Sequence, residues 1–141
     1  MHSLWRSCFL TLTSSAVLAE SIDSGRLYDV TTETSMPHLE ENLRYAIEHG
    51  QHCLSRDDLA SAFPVLHHPA LAGCKLREQY HDGDTLSYLL VCEGSSATTG
   101  TAKWRLGEHI IRGTLYVKLG GKNMTFSQRI TGRLIGTCPP A

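Results

Sequence analysis

From residue 99 to residue 134 apolar and polar positions alternate. Gly100, Ala102, Trp104 and Leu106 interleave with Thr99, Thr101, Lys103 and Arg105. Ile111, Gly113, Leu115, Val117 and Leu119 interleave with Arg112, Thr114, Tyr116 and Lys118. Met124, Phe126, Gln128, Ile130 and Leu134 interleave with Thr125, Ser127, Arg129, Thr131 and Arg133. Successive side chains of a strand point to opposite faces, so each run predicts a strand with one buried and one wet face. Gly107-Glu108-His109 and Gly120-Gly121-Lys122-Asn123 separate the runs, and connections that short make neighbouring strands antiparallel. The same period puts Tyr28, Val30, Thr32 and Thr34 on one face of a first strand within Gly25–Thr34.

Two segments change period. Leu39, Leu43, Ala46 and Ile47 fall at i, i+4, i+7 and i+8, which predicts an amphipathic helix over Leu39–His49, with Glu40 and Glu41 in its first turn and Gly50 just past its end. A second, shorter helix is signalled at Leu54-Ser55-Arg56-Asp57-Asp58-Leu59. There Ser55 can cap, Asp58 can reach back to it, and Leu54 can staple onto Leu59. The expected fold is therefore α+β: an antiparallel β-meander of five or six strands covered by two short N-terminal helices.

CKLREQYHDGDTLSYLLVC, residues 74–92, reads as a hairpin that turns at Asp82-Gly83-Asp84. A three-residue loop there sets Tyr80 against Leu86, Glu78 against Tyr88, Leu76 against Leu90 and Cys74 against Cys92. Directly opposed residues at a non-hydrogen-bonded site have Cα atoms about 4.5 Å apart, which a disulfide can span. The register also gathers Leu76, Tyr80, Leu86, Tyr88 and Leu90 on one face. Four cysteines after residue 19 allow three pairings; closing Cys74 on Cys92 leaves Cys53 for Cys138. The wide spacings lack the close pairs of a structural zinc site and any Cys-x-x-Cys redox motif.

A chain of 141 residues suits one domain. Its 13 basic and 14 acidic residues leave a net charge of −1 with no run of like charge, which argues against a dedicated nucleic-acid or anionic-membrane surface. Residues 1–19 carry one Arg and no acid, then a hydroxyl-diluted apolar stretch ending Val17-Leu18-Ala19. This predicts a cleaved signal peptide over 1–19, a single exported domain over 20–138 and a tail over 139–141. The stretch is too short and too rich in Ser and Thr for a membrane span. Cys8 leaves with it, and the even remainder suits an oxidising compartment.

Cys53-Leu54-Ser55-Arg56-Asp57-Asp58-Leu59 and Gly132-Arg133-Leu134-Ile135-Gly136-Thr137-Cys138 are the most specific parts of a wider pattern. A Thr-rich first strand, Met36-Pro37, cysteines on either side of a hairpin and a Gly- and Thr-rich meander complete it. The pattern, over residues 25–138, resembles the bacterial family called domain of unknown function 3617. The resemblance implies an exported four-cysteine protein of the Gram-negative periplasm and brings no established activity. Leu27-Tyr28 stand where that family often carries a Trp.

The chemistry points to binding rather than catalysis. Ser55, Asp57 and His52 have the residue types of a nucleophilic site, but Ser55 is explained as a helix cap and no nucleophile elbow is present. With the cysteines oxidised there is no thiolate, and no motif asks for a cofactor. The expected function is a non-catalytic binding module for an envelope ligand, with Tyr88, Trp104 and Tyr116 as contact residues against a plainer role in sheet packing. A second reading is an inhibitor or scaffold of another envelope protein. A third is a periplasmic copper or zinc site built from His67, His68, Met36 and His38, against a plainer role as loop residues.

Overall fold

The alternating runs form the strands they predict, and they join one sheet larger than the meander alone. The computed structural model describes residues 25–36, 45–94, 97–120 and 124–139. Its strands are β1 (Arg26–Ser35), β2 (Tyr45–Leu54), β3 (Cys74–Asp82), β4 (Thr85–Cys92), β5 (Thr99–Leu106), β6 (Ile110–Leu119) and β7 (Met124–Thr137). All pair antiparallel in the order β2-β1-β7-β6-β5-β4-β3.

The fold is thus not α+β, and the sheet has seven strands rather than five or six. Among the described residues helix is confined to three 3-10 pieces, Arg56–Ser61, Pro64–His67 and Pro69–Leu71. The first predicted helix is overturned over residues 45–49, which belong to β2; its residues 39–44 lie outside the described residues, as do residues 1–19 and His38. β2 pairs along its whole length with β1, Val30 facing Gly50 and Glu33 facing Ile47. It is an edge strand that buries little, so it carries no alternation, and Ile47 of the supposed helical stripe is 49% exposed. Pairing with β1 decides its conformation, and local preference does not.

The second predicted helix does form where its caps place it, though as a tighter 3-10 turn. The Asp58 carboxylate accepts from both the backbone N–H and the hydroxyl of Ser55, each at 2.8 Å. Pro64 and Pro69 each open a new turn, because proline fits a first helical position and cannot continue the helix before it.

Residues 55–73 run from one edge strand, β2, to the other, β3, and the Arg56–Ser61 turn touches both edges. Seven flat strands at about 4.8 Å spacing would hold those edges about 29 Å apart. A six-residue 3-10 turn is about 12 Å long. The sheet therefore curls into an open barrel around this connection, which covers its inner face. Trp104, Phe63, Leu71, Leu86, Leu115 and Ile130 fill the space between.

Two buried polar side chains tie the connection down. The Trp104 indole N–H donates to the Leu59 carbonyl at 3.0 Å, and its ring lies 5.4 Å from that of Phe63. Trp104 faces Gly113 on β6, where a Cβ would stand 2.7 Å from the indole; the missing side chain is the indole's seat. Gln128 accepts from the Val65 N–H at 3.1 Å and donates to the Thr34 hydroxyl at 2.9 Å, so it bridges β7, the connection and β1.

Both disulfides close as the register requires, Cys74 with Cys92 and Cys53 with Cys138. The β3–β4 pairing holds from Cys74 to Glu78 and then shifts. Gly83, at φ +57°, allows a two-residue turn with Asp84, and Gln79 becomes an unpaired bulge residue that absorbs the difference. The shift sets Tyr80 opposite Ser87 rather than Leu86. Tyr80 thereby leaves the apolar face and is 58% exposed.

Candidate functional site

The residues named from sequence do not form one site. Trp104 is fully buried and Tyr88 is 5% exposed, both on the inner face beneath the connection, whereas Tyr116 is 58% exposed on the outer face. Trp104 spends its one polar atom on Leu59. The structure assigns Trp104 and Tyr88 to the core and leaves Tyr116 as a surface residue.

Burial pushes the Tyr88 hydroxyl above its usual range; Glu78 and Asp57 push the same way and Arg56 opposes them. Folding therefore favours the neutral phenol. Its contribution is full below about pH 10, the unfolded value, and is lost as pH rises through the higher folded value. Tyr88→Phe is expected to flatten the alkaline limb of stability measured by urea unfolding across pH. An unchanged limb would place the alkaline loss on other groups.

Of the four metal candidates, Met36 and His68 meet at one cavity, His67 lies elsewhere in the connection and His38 is outside the described residues. The Ala70 N–H donates to His68 Nδ1 at 3.0 Å, so the proton of the neutral ring sits on Nε2 and neither nitrogen offers a lone pair to an ion. His67 Nε2 donates to the Ser61 carbonyl at 3.1 Å. Both rings brace turns of the connection. Among the described residues no group of three or more His, Cys, Asp or Glu side chains could hold a metal ion.

The cavity at Met36 and His68 is an apolar concavity at one end of the inner face. It has a volume of about 130 Å³ and lies between Val65, Ala70 and Leu71 of the connection and Leu119, Met124 and Phe126 of the β6–β7 end. The two ties described above hold the first half of the connection over the sheet, Trp104 at Leu59 near its start and Gln128 at Val65 in its middle. Its lining is almost wholly apolar, with two thioethers that can shift to fit an occupant. Met124 and Phe126 are readable in the sequence only as inward strand positions. The usable signal was Gln128, because an amide at an inward position of an alternating strand needs a buried partner.

On the outer face a wider and more open groove of about 530 Å³ runs beside Tyr116, floored by β5–β7 and lined by Leu89, Thr101, Lys118 and Ser127. Short hydroxyl side chains flank Tyr116 on both sides, Thr101 on β5 and Ser127 on β7. That leaves a trough between taller side chains, which would cover only one side of a small ligand.

Among the described residues no helix is long and apolar enough to cross a membrane. No family model, curated protein or solved structure matches this chain.

Proposed function

We propose that this protein is a non-catalytic binding module that takes up the apolar part of a small envelope ligand in the inner cavity. The observation that carries this reading is the apolar, partly open cavity of about 130 Å³ at Met36, Leu71, Met124 and Phe126. A cavity of about 150 Å³ with a similar lining accepts benzene, so the occupant is an aromatic ring or a short alkyl segment of about six carbons. The two disulfides support an oxidising compartment, and the reading places the protein in the periplasm after loss of a signal peptide. The resemblance of Cys53–Leu59 and Gly132–Cys138 to the domain of unknown function 3617 family supports the same address. No cofactor enters the reading.

The two described methionines, Met36 and Met124, both line the cavity, so their methyl groups report on it directly. Titration with linear alcohols, followed by NMR of methionine methyls, is expected to shift both signals. Affinity should rise about fourfold per added methylene, the equivalent of about 0.8 kcal/mol, up to about six carbons. Ala70→Trp, at the exposed rim, should block the response. Shifts that do not depend on chain length, or none below millimolar alcohol, would overturn the proposal.

A further inference from the structure

We infer that the outer face of β3–β6 docks the protein on the surface of an anionic lipid bilayer. The absence of charge runs in the sequence points the other way, but a strand hides such a surface. On a strand every second residue shares a face, so cations separated by apolar residues in the chain stand together in the sheet. Lys75, Arg77, Lys103, Arg105, Arg112 and Lys118 occupy outward positions of β3, β5 and β6, and all are exposed. Within the strands the acid on this face of β3–β6 is Asp82, at the hairpin tip; Asp84, Glu93 and Glu108 are exposed at its rims, just beyond the strand ends. Among the described residues none of the six is in an ion pair, whereas Arg129 on neighbouring β7 pairs with Glu33 at 3.5 Å. A chain of net charge −1 therefore presents a cationic face.

Arg105 stands directly opposite Arg112. Like charges in that relation destabilise a sheet, and Thr85 and Thr131, their next cross-strand neighbours, offer hydroxyls rather than carboxylates. Two guanidiniums between two hydroxyls make a receptor for a phosphoryl oxygen cluster. The lipid assignment comes from what surrounds them. Tyr80, Leu89 and Tyr116 are exposed on the same face by 58%, 41% and 58%, and one cross-strand row runs Arg77, Leu89, Thr101, Tyr116. Tyrosine has an apolar body and a polar tip, which suits the headgroup layer, and basic residues beside it are drawn to anionic headgroups. The disulfides fit an oxidising compartment, where bilayers supply anionic surface. This face is separate from the inner cavity, and the inference stands without it.

The test is vesicle co-sedimentation of the full exported chain. Binding is expected to phosphatidylcholine vesicles that carry phosphatidylglycerol, to fall steeply with added salt, and to be lost on phosphatidylcholine alone. Each removed cation should weaken binding about fivefold, so Arg105→Gln with Arg112→Gln should weaken it about 25-fold. That double variant should keep or raise the melting temperature, since it relieves a like-charge pair, which separates lost docking from lost fold. Arg129→Gln, whose charge is already paired, should change binding less. Equal binding to uncharged vesicles would overturn the inference, as would no binding to either. Displacement by a single-stranded oligonucleotide or by inorganic phosphate at charge equal to the lipid would also overturn it.

Discussion

Replacing Trp104 with alanine is expected to lower the unfolding free energy by about 3–5 kcal/mol, the usual cost of emptying a fully buried aromatic site. The indole is seated over Gly113, packs on Phe63 and holds the Leu59 carbonyl. Its loss should therefore loosen the whole connection and not only leave a hole. Trp104→Phe keeps most of the packing and removes the hydrogen bond, so it should cost about 1 kcal/mol through that bond and less than alanine overall. Urea unfolding gives the energies, and loss of near-ultraviolet circular dichroism in the alanine variant would report the loosened core. An alanine variant within about 1 kcal/mol of the parent would show that the connection is held elsewhere and would return Trp104 to the list of ligand contacts.

Opening either disulfide is the next largest expected effect, and the two should differ. Cys53–Cys138 closes residues 85 apart and Cys74–Cys92 closes residues 18 apart. In the chain-entropy account these loops are worth about 4.5 and about 3 kcal/mol. Cys53→Ser with Cys138→Ser should thus destabilise more than Cys74→Ser with Cys92→Ser, read by urea unfolding of the oxidised proteins. Against a total of about 5–15 kcal/mol for an ordinary domain, either loss is large and both together should leave little folded chain. If the hairpin bridge costs more than the long one, unfolded-state entropy is not the main term. The β3 edge, which Cys74 holds on β4 and which carries Lys75 and Arg77, would then be the part of the sheet that depends on its bridge.

Most of the core could be read from the chain because strand alternation is local. Trp104, Leu115, Val117, Phe126 and Ile130 are inward by period and buried in fact. The candidate site was less legible. Met36, His68, Leu71 and Met124 come from the residue just past β1, the connection and β7, and no spacing along the chain links them. Tyr116 and Trp104 look alike in the sequence, both aromatic within alternating runs, yet their opposite parity sends one to solvent and the other to the core. Parity is visible in the sequence; that it excludes a shared site follows from the connection, which covers the inner face and closes Trp104 off from solvent.

The inward and outward sets of β1, β5, β6 and β7 and the cap at Ser55 are legible in the chain, because they depend on period and on residue types close in sequence. The Cys74–Cys92 pairing holds although the turn has two residues rather than three, because the bulge at Gln79 restores the register beyond it, and Cys53–Cys138 follows by elimination. That residues 45–54 are a strand follows from tertiary pairing, since an edge strand that buries little is shaped by its partner β1. The bulge at Gln79, which turned Tyr80 outward, was likewise settled by the choice of a two-residue turn around Gly83. The gathering of Lys75, Arg77, Lys103, Arg105, Arg112 and Lys118 on one face is the furthest from local. Those charges are dispersed along the chain and meet only because antiparallel registers bring the outward residues of β3, β5 and β6 to the same side of one sheet.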